Sequence, residues 1–174
     1  MIPQLRDWHA RYRDKGLTIV GVHSPEFAWE KPYDKVVAAT KQLGVAYPVV
    51  QDNDFGTWNA FGNQYWPAKY LIDADGQVRF VHFGEGRYEE TEAAIRSLLA
   101  EAGESRLGRE ASATTERADP GLRTPETYLG TGRAHGWVEA PRAGIHAYRA
   151  PSSLGLNEFA YGGRWDVDRE SGTA

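Results

Sequence analysis

The sequence predicts an α/β sandwich for residues 1–103, a linker over residues 104–120 and a β-rich segment over residues 121–174. Two patterns predict the first part. Helical and strand spacings of apolar residues alternate along it, and it ends in a strand–turn–strand pattern followed by a last helix. The third observation is composition: the stretch from residue 104 is rich in Glu, Arg, Ser, Ala and Thr, whereas glycines and aromatic residues dominate after residue 121.

Four helices are predicted from apolar residues that recur on one helical face. In the first helix, Leu5, Trp8 and Tyr12 form such an apolar stripe. The third helix is short and has Asp52 or Asn53 as its N-cap. The predicted helices span residues 3–15, 33–43, 52–62 and 88–102.

The predicted strands are short apolar runs. Residues 17–23 read Leu-Thr-Ile-Val-Gly-Val-His, which is typical of a strand buried on both faces in a central, partly parallel sheet. Residues 68–72 and 78–83 are joined by turn residues, so they form a predicted hairpin. Pro67 stands at the start of this hairpin, where a proline removes a backbone donor, and we predict a cis Trp66–Pro67 bond.

The β-rich segment is predicted to contain strands at residues 144–148, 158–161 and 164–167. So short a segment cannot complete a β-sandwich. We therefore expect it to lack a full core of its own, and to be weakly ordered or to lie across the first domain.

The composition excludes several kinds of chemistry. The chain has no cysteine, so it holds no disulfide, thiolate metal site or catalytic thiol. Its net charge of -4 argues against nucleic-acid binding, and no apolar run approaches the roughly 20 residues that a membrane helix needs. The five histidines are scattered and no phosphate-binding loop is present, so neither a metal nor a cofactor is expected.

Several motifs stand in a recognisable order within about residues 1–100. They are Gly21-Val22-His23-Ser24-Pro25-Glu26-Phe27, Tyr47-Pro48-Val49, Asp52-Asn53-Asp54, Trp58-Asn59-Ala60-Phe61-Gly62, Tyr65-Trp66-Pro67-Ala68-Lys69-Tyr70-Leu71-Ile72-Asp73 and His82-Phe83-Gly84-Glu85-Gly86. Together they resemble the thioredoxin-like (redoxin-like) domain of DipZ-type cytochrome c biogenesis and thiol–disulfide interchange proteins. In that fold a cis-proline opens a strand, a hairpin follows, and a helix closes the domain.

The resemblance also implies parts that this chain lacks. In the family, a Cys-x-x-Cys motif lies between the first strand and the first helix, whereas this chain begins at Met1 in what resembles the middle of that helix. We therefore expect the first strand and the thiols to lie upstream of Met1, so that the chain is a fragment or a late start. The resemblance implies an extracytoplasmic protein tethered to a membrane through that missing region, and the chain as given is expected to be soluble.

The C-terminal segment carries a second resemblance. Two phrases look like the opening of the galactose-binding-like β-sandwich that follows the thioredoxin-like domain in these proteins: Thr124-Pro125-Glu126-Thr127-Tyr128-Leu129-Gly130 and Leu156-Asn157-Glu158-Phe159-Ala160-Tyr161-Gly162-Gly163-Arg164-Trp165. This implies a glycan partner for the completed domain. Five aromatic rings are candidates for stacking on sugars, although core packing explains most such rings: Tyr128, Trp137, Tyr148, Tyr161 and Trp165.

The implied function is that of a thiol–disulfide oxidoreductase domain acting on protein thiols and disulfides, in extracytoplasmic redox chemistry or cytochrome c biogenesis. Such an enzyme attacks a disulfide with a thiolate and resolves the mixed disulfide with a second cysteine. Without cysteine the chain is expected to be inactive alone. The alternative is a redox-dead module that binds a protein or a glycan.

Four residues are candidates for substrate binding. In the family the loop before the cis-proline pairs with the backbone of an extended substrate, which implies Trp66 and Pro67. The alternative is a packed tryptophan beside a proline that merely starts a strand. His23 and Glu26 follow the carboxyl end of a predicted central strand, where sites form in open α/β sheets and where either could transfer a proton near a thiol. The alternative for both is a solvated loop in which Glu26 only makes a hydrogen bond.

Overall fold

The chain divides into two compact units, Met1–Arg117 and Ala118–Ala174, and each is described by itself. The computed structural model describes residues 1–111 and 125–174. Most of the predicted linker lies outside the described residues, as does the start of the predicted β-rich segment. The domain bounds drawn from the sequence therefore stay predictions.

Within residues 1–111, four α-helices correspond to the four predicted ones, with shifts at their ends. Pro3 lies in the first turn of the first helix, where its missing N–H removes no helical hydrogen bond. This helix runs into a short 3-10 turn that ends at Gly16, whose φ of 105° is readily adopted by glycine. The helices are α1 Ile2–Tyr12, α2 Tyr33–Gln42, α3 Gly56–Ala60 and α4 Tyr88–Glu101.

The four strands found in residues 1–111 form two pairs. The first pair, β1 and β2, is parallel, with Gly21 opposite Val49; the second, β3 and β4, is antiparallel, with Ala68 opposite Phe83. Within residues 1–111 these pairs are separate two-stranded sheets. The strands are β1 Gly21–His23, β2 Val49–Gln51, β3 Ala68–Ile72 and β4 Val78–Phe83.

One helical layer supports both sheets. Its core cluster consists of buried residues from α1 and α4, namely Trp8, Tyr12, Ile95 and Leu99. Ile19, just before β1, packs against this cluster, and so does Leu71 of β3. Both sheets therefore rest on the same helices, although the strands of one do not pair with those of the other within residues 1–111.

The prediction that residues 17–23 form a strand buried on both faces is wrong. Only Gly21–His23 is paired as a strand, because these residues alone have partners in β2. Ile19 packs on the core cluster, but Val20 and Val22 alternate to the other face, where they are 56% and 44% exposed. The physical reason is that α1 and α4 cover one face of this strand while the other face is open to solvent.

A buried carboxylate lies inside the helical layer. Glu92 of α4 is 4% exposed and accepts hydrogen bonds from Trp8 Nε1 at 3.2 Å and from the Tyr12 hydroxyl at 2.5 Å. The backbone N–H of Ala111 donates to the same carboxylate at 2.7 Å. Because a buried carboxylate is stable only with such donors, Glu92 joins α1, α4 and the segment after α4.

The first residues of the predicted linker consequently lie against the first unit. Leu107 and Ala111 contact the core cluster. Arg96 of α4 donates to the carbonyl oxygens of Leu107 and Gly108 at 3.4 and 3.2 Å. The composition of this stretch favoured a free linker because it holds little apolar area, but backbone groups rather than apolar side chains make most of these contacts.

The second unit contains a three-stranded antiparallel sheet in the order β5, β6, β7. Two of the predicted strands are found as β5 and β6. Residues 158–161 form no strand, although Phe159 makes an isolated bridge with Trp137. The strands are β5 Gly144–Tyr148, β6 Gly163–Val167 and β7 Gly172–Thr173.

Residues 125–174 contain a small core of their own, whereas the sequence predicted only that the segment would lack a full core. Tyr148, Tyr161 and Val167 are buried, and Trp137 and Trp165 pack against them. The ring centroid of Tyr161 lies 4.3 Å from that of Trp137 and 4.5 Å from that of Trp165. Large aromatic side chains bury enough area to form a core from few residues. Among the rings considered for sugar stacking, Tyr148 and Tyr161 are therefore core residues.

Replacing Leu99 by alanine removes apolar volume from the core cluster that supports both sheets. We expect Leu99→Ala to lower the free energy of unfolding of the first unit by about 2–5 kcal/mol, as is usual for a buried leucine. Urea unfolding followed by tryptophan fluorescence measures this change. Leu43→Ala is the matched control, at a position that is 45% exposed. It should cost less than about 1 kcal/mol, and equal costs for the two variants would contradict the core assignment.

Candidate functional site

The loop before β3 carries two of the predicted substrate-binding residues. The Trp66–Pro67 peptide bond is cis, as predicted. The Pro67 carbonyl oxygen accepts a hydrogen bond from the Gly84 N–H at 2.7 Å, which ties the loop to the end of β4. The Trp66 side chain is about half buried, since 46% of its surface is exposed to solvent.

Two neighbours hold the Trp66 ring. Its Nε1–H donates to the Ser24 carbonyl oxygen at 3.0 Å, and its centroid lies 4.2 Å from that of the Trp58 ring of α3. Because Ser24 directly follows β1, the hydrogen bond brings the end of β1 to the start of β3. A half-exposed indole held in this way presents a rigid apolar surface, which suits contact with a polypeptide.

Asp52 positions both neighbours of Trp66. Its carboxylate accepts a hydrogen bond from the Ser24 hydroxyl at 3.1 Å. It also accepts the backbone N–H groups of Thr57 and Trp58 in the first turn of α3 at 2.9 and 2.8 Å, but the predicted N-cap is wrong, because this helix starts later and Phe55 is its N-cap. Burial raises the pKa of Asp52, but these donors outweigh burial, so the pKa of this carboxyl lies below its usual value.

His23 is the last residue of β1 and Glu26 lies on the loop that follows; the His23 side chain and the Glu26 backbone both contact Glu30. The Nε2 atom of His23 lies 3.2 Å from the Glu30 carbonyl oxygen. The backbone N–H of Glu26 donates to the Glu30 carboxylate at 2.7 Å. Both contacts hold the loop to the 3-10 turn that ends at Glu30, and it is Ser24 that meets Trp66. The substrate-binding roles of His23 and Glu26 stay predictions.

Ser24 and Asp52 were not among the predicted site residues, although the sequence carried a signal for them. Ser24 follows β1 and Asp52 follows β2, and these strands are parallel. Since the carboxyl ends of parallel strands meet at one edge of a sheet, polar side chains at these positions come together. Trp58 carried no such signal, because its place beside Trp66 depends on how α3 packs.

Tyr65, the residue before Trp66, takes part in a series of aromatic ring contacts. We define the loop surface as Trp66 together with three further partly exposed rings, Phe61, Tyr65 and Phe83. The ring centroid of Tyr65 lies 5.5 Å from that of Phe83. Tyr70 joins Phe83 to Phe61, with centroid distances of 6.1 and 5.0 Å. So many rings in contact at one surface favour binding of another molecule.

Lys69 of β3 is a buried cation near this loop that the sequence analysis missed. It is 7% exposed, its Nζ donates to the Gly86 carbonyl oxygen at 2.7 Å, and Nζ lies 4.8 Å from the centre of the Tyr88 ring. Burial lowers the pKa of Lys69, and the Glu85 carboxylate opposes this change only in part. The contacts of Lys69 tie β3 to the segment that leads into α4, so we assign it a structural role.

The residues that the structure describes limit the chemistry that this site can perform. Residues 1–111 and 125–174 contain no group of three or more His, Asp or Glu side chains that could hold a metal ion. No helix in these two ranges has the length and apolar character needed to cross a membrane. Since the sequence has no cysteine, the loop surface supplies no thiol.

Asp52 should make the loop surface sensitive to acid. Because its folded-state pKa is lowered, its stabilising contacts are complete above the ordinary value of 3.8 and are lost as the pH falls through the lower folded-state value. We therefore expect tryptophan fluorescence to change below about pH 4 in the wild type, and this acid step to be absent in Asp52→Asn.

The matched control for this titration is Asp75→Asn, in the exposed turn between β3 and β4. It should keep the acid step of the wild type. An undiminished step in Asp52→Asn would contradict the role given to the Asp52 carboxylate.

Comparison with known proteins finds relatives for the whole chain. The family model described as the thioredoxin like C-terminal domain matches residues 124–174. Protein DipZ of Mycobacterium tuberculosis (strain CDC 1551 / Oshkosh) is 42% identical over 177 residues, which is 99% of this chain and 26% of the relative. The chain thus spans about a quarter of the length of the DipZ proteins it matches.

Two further proteins are similar to more than half of the chain. The thiol-disulfide oxidoreductase YkuV of Bacillus subtilis (strain 168) is 29% identical over 100 residues, which is 58% of this chain and 67% of the relative. A solution structure of a thioredoxin-like protein in the oxidized form matches with a TM-score of 0.53 and 29% identity, covering 57% of this chain and 67% of that chain. The predicted thioredoxin-like α/β fold with an added strand-rich segment is thereby confirmed. The chain is thus similar over nearly its whole length to a part of the DipZ proteins, and it has a thioredoxin-like fold.

Proposed function

We propose that this chain is the substrate-recognising, thioredoxin-like part of a thiol–disulfide oxidoreductase that works outside the cytoplasm, in redox chemistry that serves cytochrome c biogenesis. Its partners are proteins with thiols or disulfides, and they lie along the loop surface at Trp66 and Pro67. The observation that carries the proposal is the half-exposed Trp66 ring, held by Ser24 and Trp58.

The geometry of the loop surface supports recognition of an extended polypeptide. Aromatic anchors contribute much of the binding energy in protein interfaces, and a ring that is already held loses little freedom on binding. Trp66 meets both requirements. Phe61, Tyr65 and Phe83 extend the apolar area for the side chains that flank the anchored one.

Thiol–disulfide exchange needs a thiolate, which this chain does not supply. One thiolate attacks a disulfide sulfur, the other sulfur leaves as a thiolate, and the resulting mixed disulfide is resolved by a second thiolate. In this proposal both cysteines belong to polypeptide outside residues 1–174, and the loop surface presents the substrate to them. The match to DipZ, and the name of YkuV as a thiol-disulfide oxidoreductase, support this assignment.

A second candidate function is favoured by the absence of cysteine. A redox-inactive module would bind a polypeptide at the same loop surface with no exchange step. The two candidates share the recognition surface and differ only in chemistry, so binding and exchange are tested separately. Glycan binding is not proposed, because Tyr148 and Tyr161 are buried in the core of the second unit.

Binding is tested with an unfolded polypeptide, reduced and carboxymethylated α-lactalbumin. We expect Trp66→Ala to weaken its binding to the full chain by at least about tenfold, the loss expected for an aromatic anchor. Isothermal titration calorimetry measures the affinity. Trp66→Phe keeps a ring against Trp58 but lacks the donor to Ser24. Its affinity for the polypeptide should therefore fall between those of the wild type and Trp66→Ala.

The matched control is Trp29→Ala, since Trp29 is 55% exposed but lies outside the loop surface. It should bind as the wild type does. Thermal unfolding of each variant separates lost binding from lost folding. Equal losses for Trp29→Ala and for a folded Trp66→Ala would show that the loop surface is not the binding site.

Exchange chemistry is tested in two steps. The chain alone should show no dithiol-dependent reduction of insulin, because it has no thiolate to attack a disulfide. Joining the residues that precede the matched region of M. tuberculosis DipZ to Met1 should produce insulin reduction, which Trp66→Ala should then diminish. If the chimera folds and contains its cysteines but does not reduce insulin, the oxidoreductase assignment is contradicted. The redox-inactive binding module is then the remaining candidate function.

A further inference from the structure

Glu85 is a partly exposed carboxylate that borders the loop surface. Phe83, one of the rings of that surface, stands two residues before it. The N–H of Gly84, between them, donates to the Pro67 carbonyl oxygen at 2.7 Å. This hydrogen bond fixes the backbone next to Glu85 against the loop that carries Trp66. Since the Glu85 side chain is 55% exposed, a polypeptide that lies along the loop surface can reach its carboxylate.

The contacts of the Glu85 carboxylate indicate which group it accepts. The ammonium group of Met1 lies 3.2 Å from one carboxylate oxygen, and the Tyr88 hydroxyl donates to the same oxygen. The structure thus contains a primary ammonium group paired with this carboxylate, as the side chain of a lysine would be. In the proposed function, polypeptide precedes Met1, so the Met1 nitrogen is an uncharged amide. The carboxylate can then pair with a cation from a substrate.

The Glu85 carboxyl is ionised at neutral pH. Burial raises the pKa of this carboxyl. The Tyr88 hydroxyl and the Met1 ammonium group lower the pKa, and so does the charge of Lys69. These contacts outweigh burial, so the pKa of Glu85 lies below its usual value. Because the side chain keeps contact with water, pairing with a cation has only a small desolvation cost.

Two nearby side-chain cations are held by other partners. Lys69 is 7% exposed, and its Nζ donates to the Gly86 carbonyl oxygen at 2.7 Å. The guanidinium group of Arg87 pairs with the Glu90 carboxylate. Lys69 still attracts Glu85 electrostatically, but its own hydrogen bond is made to a backbone carbonyl. The exposed carboxylate of Glu85 is therefore available to a substrate.

We propose that Glu85 makes the loop surface prefer polypeptides with a lysine or arginine beside the apolar residue that binds at Trp66. This inference rests on the proposed function, because it names the substrate class of the same surface. The rings supply apolar contact area, and the carboxylate discriminates between substrates by charge. Electrostatic complementarity of this kind contributes to specificity more than to affinity. Glu85 is a specificity-determining residue and takes no part in the exchange step.

The test compares three short peptides that share a central phenylalanine. Lysines flank this residue in the first peptide, norleucines in the second and glutamates in the third. Norleucine carries an alkyl chain without the charge of lysine. The protein is the full chain with an acetylated N-terminus, and isothermal titration calorimetry at low ionic strength measures each affinity. We expect the lysine peptide to bind about threefold tighter than the norleucine peptide, as for a partly exposed ion pair, and the glutamate peptide to bind most weakly.

Two variants of the acetylated chain locate this preference. Glu85→Gln should bind the lysine and norleucine peptides equally, with the affinity for the norleucine peptide unchanged. Glu90→Gln is the matched control, since Glu90 is also 55% exposed and also has a cationic partner. It should keep the preference for lysine. Thermal unfolding should show that both variants are folded.

The chain with a free N-terminus provides an independent measurement. Its Met1 ammonium group competes with the substrate cation for the Glu85 carboxylate. The preference for the lysine peptide should therefore be smaller than in the acetylated chain, whereas the affinity for the norleucine peptide should be the same. Raising the salt concentration to about 0.5 M should remove most of the preference in the acetylated chain, because salt screens exposed charges.

The outcomes separate this inference from the proposed function. Equal affinities for the lysine and norleucine peptides in the acetylated chain would overturn the inference, and so would a preference that persists in Glu85→Gln. If binding of the norleucine peptide is lost in Trp66→Ala, the proposed recognition surface stands even when the inference fails. If the peptides bind equally well to a folded Trp66→Ala, the loop surface is not the binding site, and both proposals fail.

Discussion

The pairing of α1 with α4 around the Glu92 carboxylate is the contact on which the first unit depends. Glu92 binds Trp8 and Tyr12 of α1, and the same two rings form the core cluster with residues of α4. A buried carboxylate is tolerated only because its donors are in place, so the polar contact fixes how the two helices meet. Both sheets rest on the surface that results.

This helical layer leads directly to the candidate site. It holds β1 and β3 on one surface, and their ends then meet where Trp66 donates to Ser24. Asp52 links the two parallel strands to α3 and places Trp58 against Trp66. The exposed ring is thus positioned by three elements, which is why a loop can offer a rigid binding surface.

Local patterns predicted the elements and part of the site. The stripe of Leu5, Trp8 and Tyr12 indicated α1, because side chains three and four residues apart share a helical face. The Trp66–Pro67 dipeptide indicated the loop before β3, because a proline at the start of a strand is uncommon and informative. For residues 17–23, in contrast, an apolar run predicted burial on both faces, and burial depends on neighbours that the run itself does not specify.

The sequence by itself determined the order and type of most of the elements, the absence of a thiol, and the place of the Trp66 loop. Only the tertiary structure decided that Ala111 returns to Glu92, that Ser24 and Asp52 meet beside Trp66, and that a few aromatic rings form a core in the second unit. The physical reason is the separation in sequence between the residues that make contact. Helical and strand spacing express contacts between residues close in the chain, whereas these contacts join distant residues and exist only once the elements have packed.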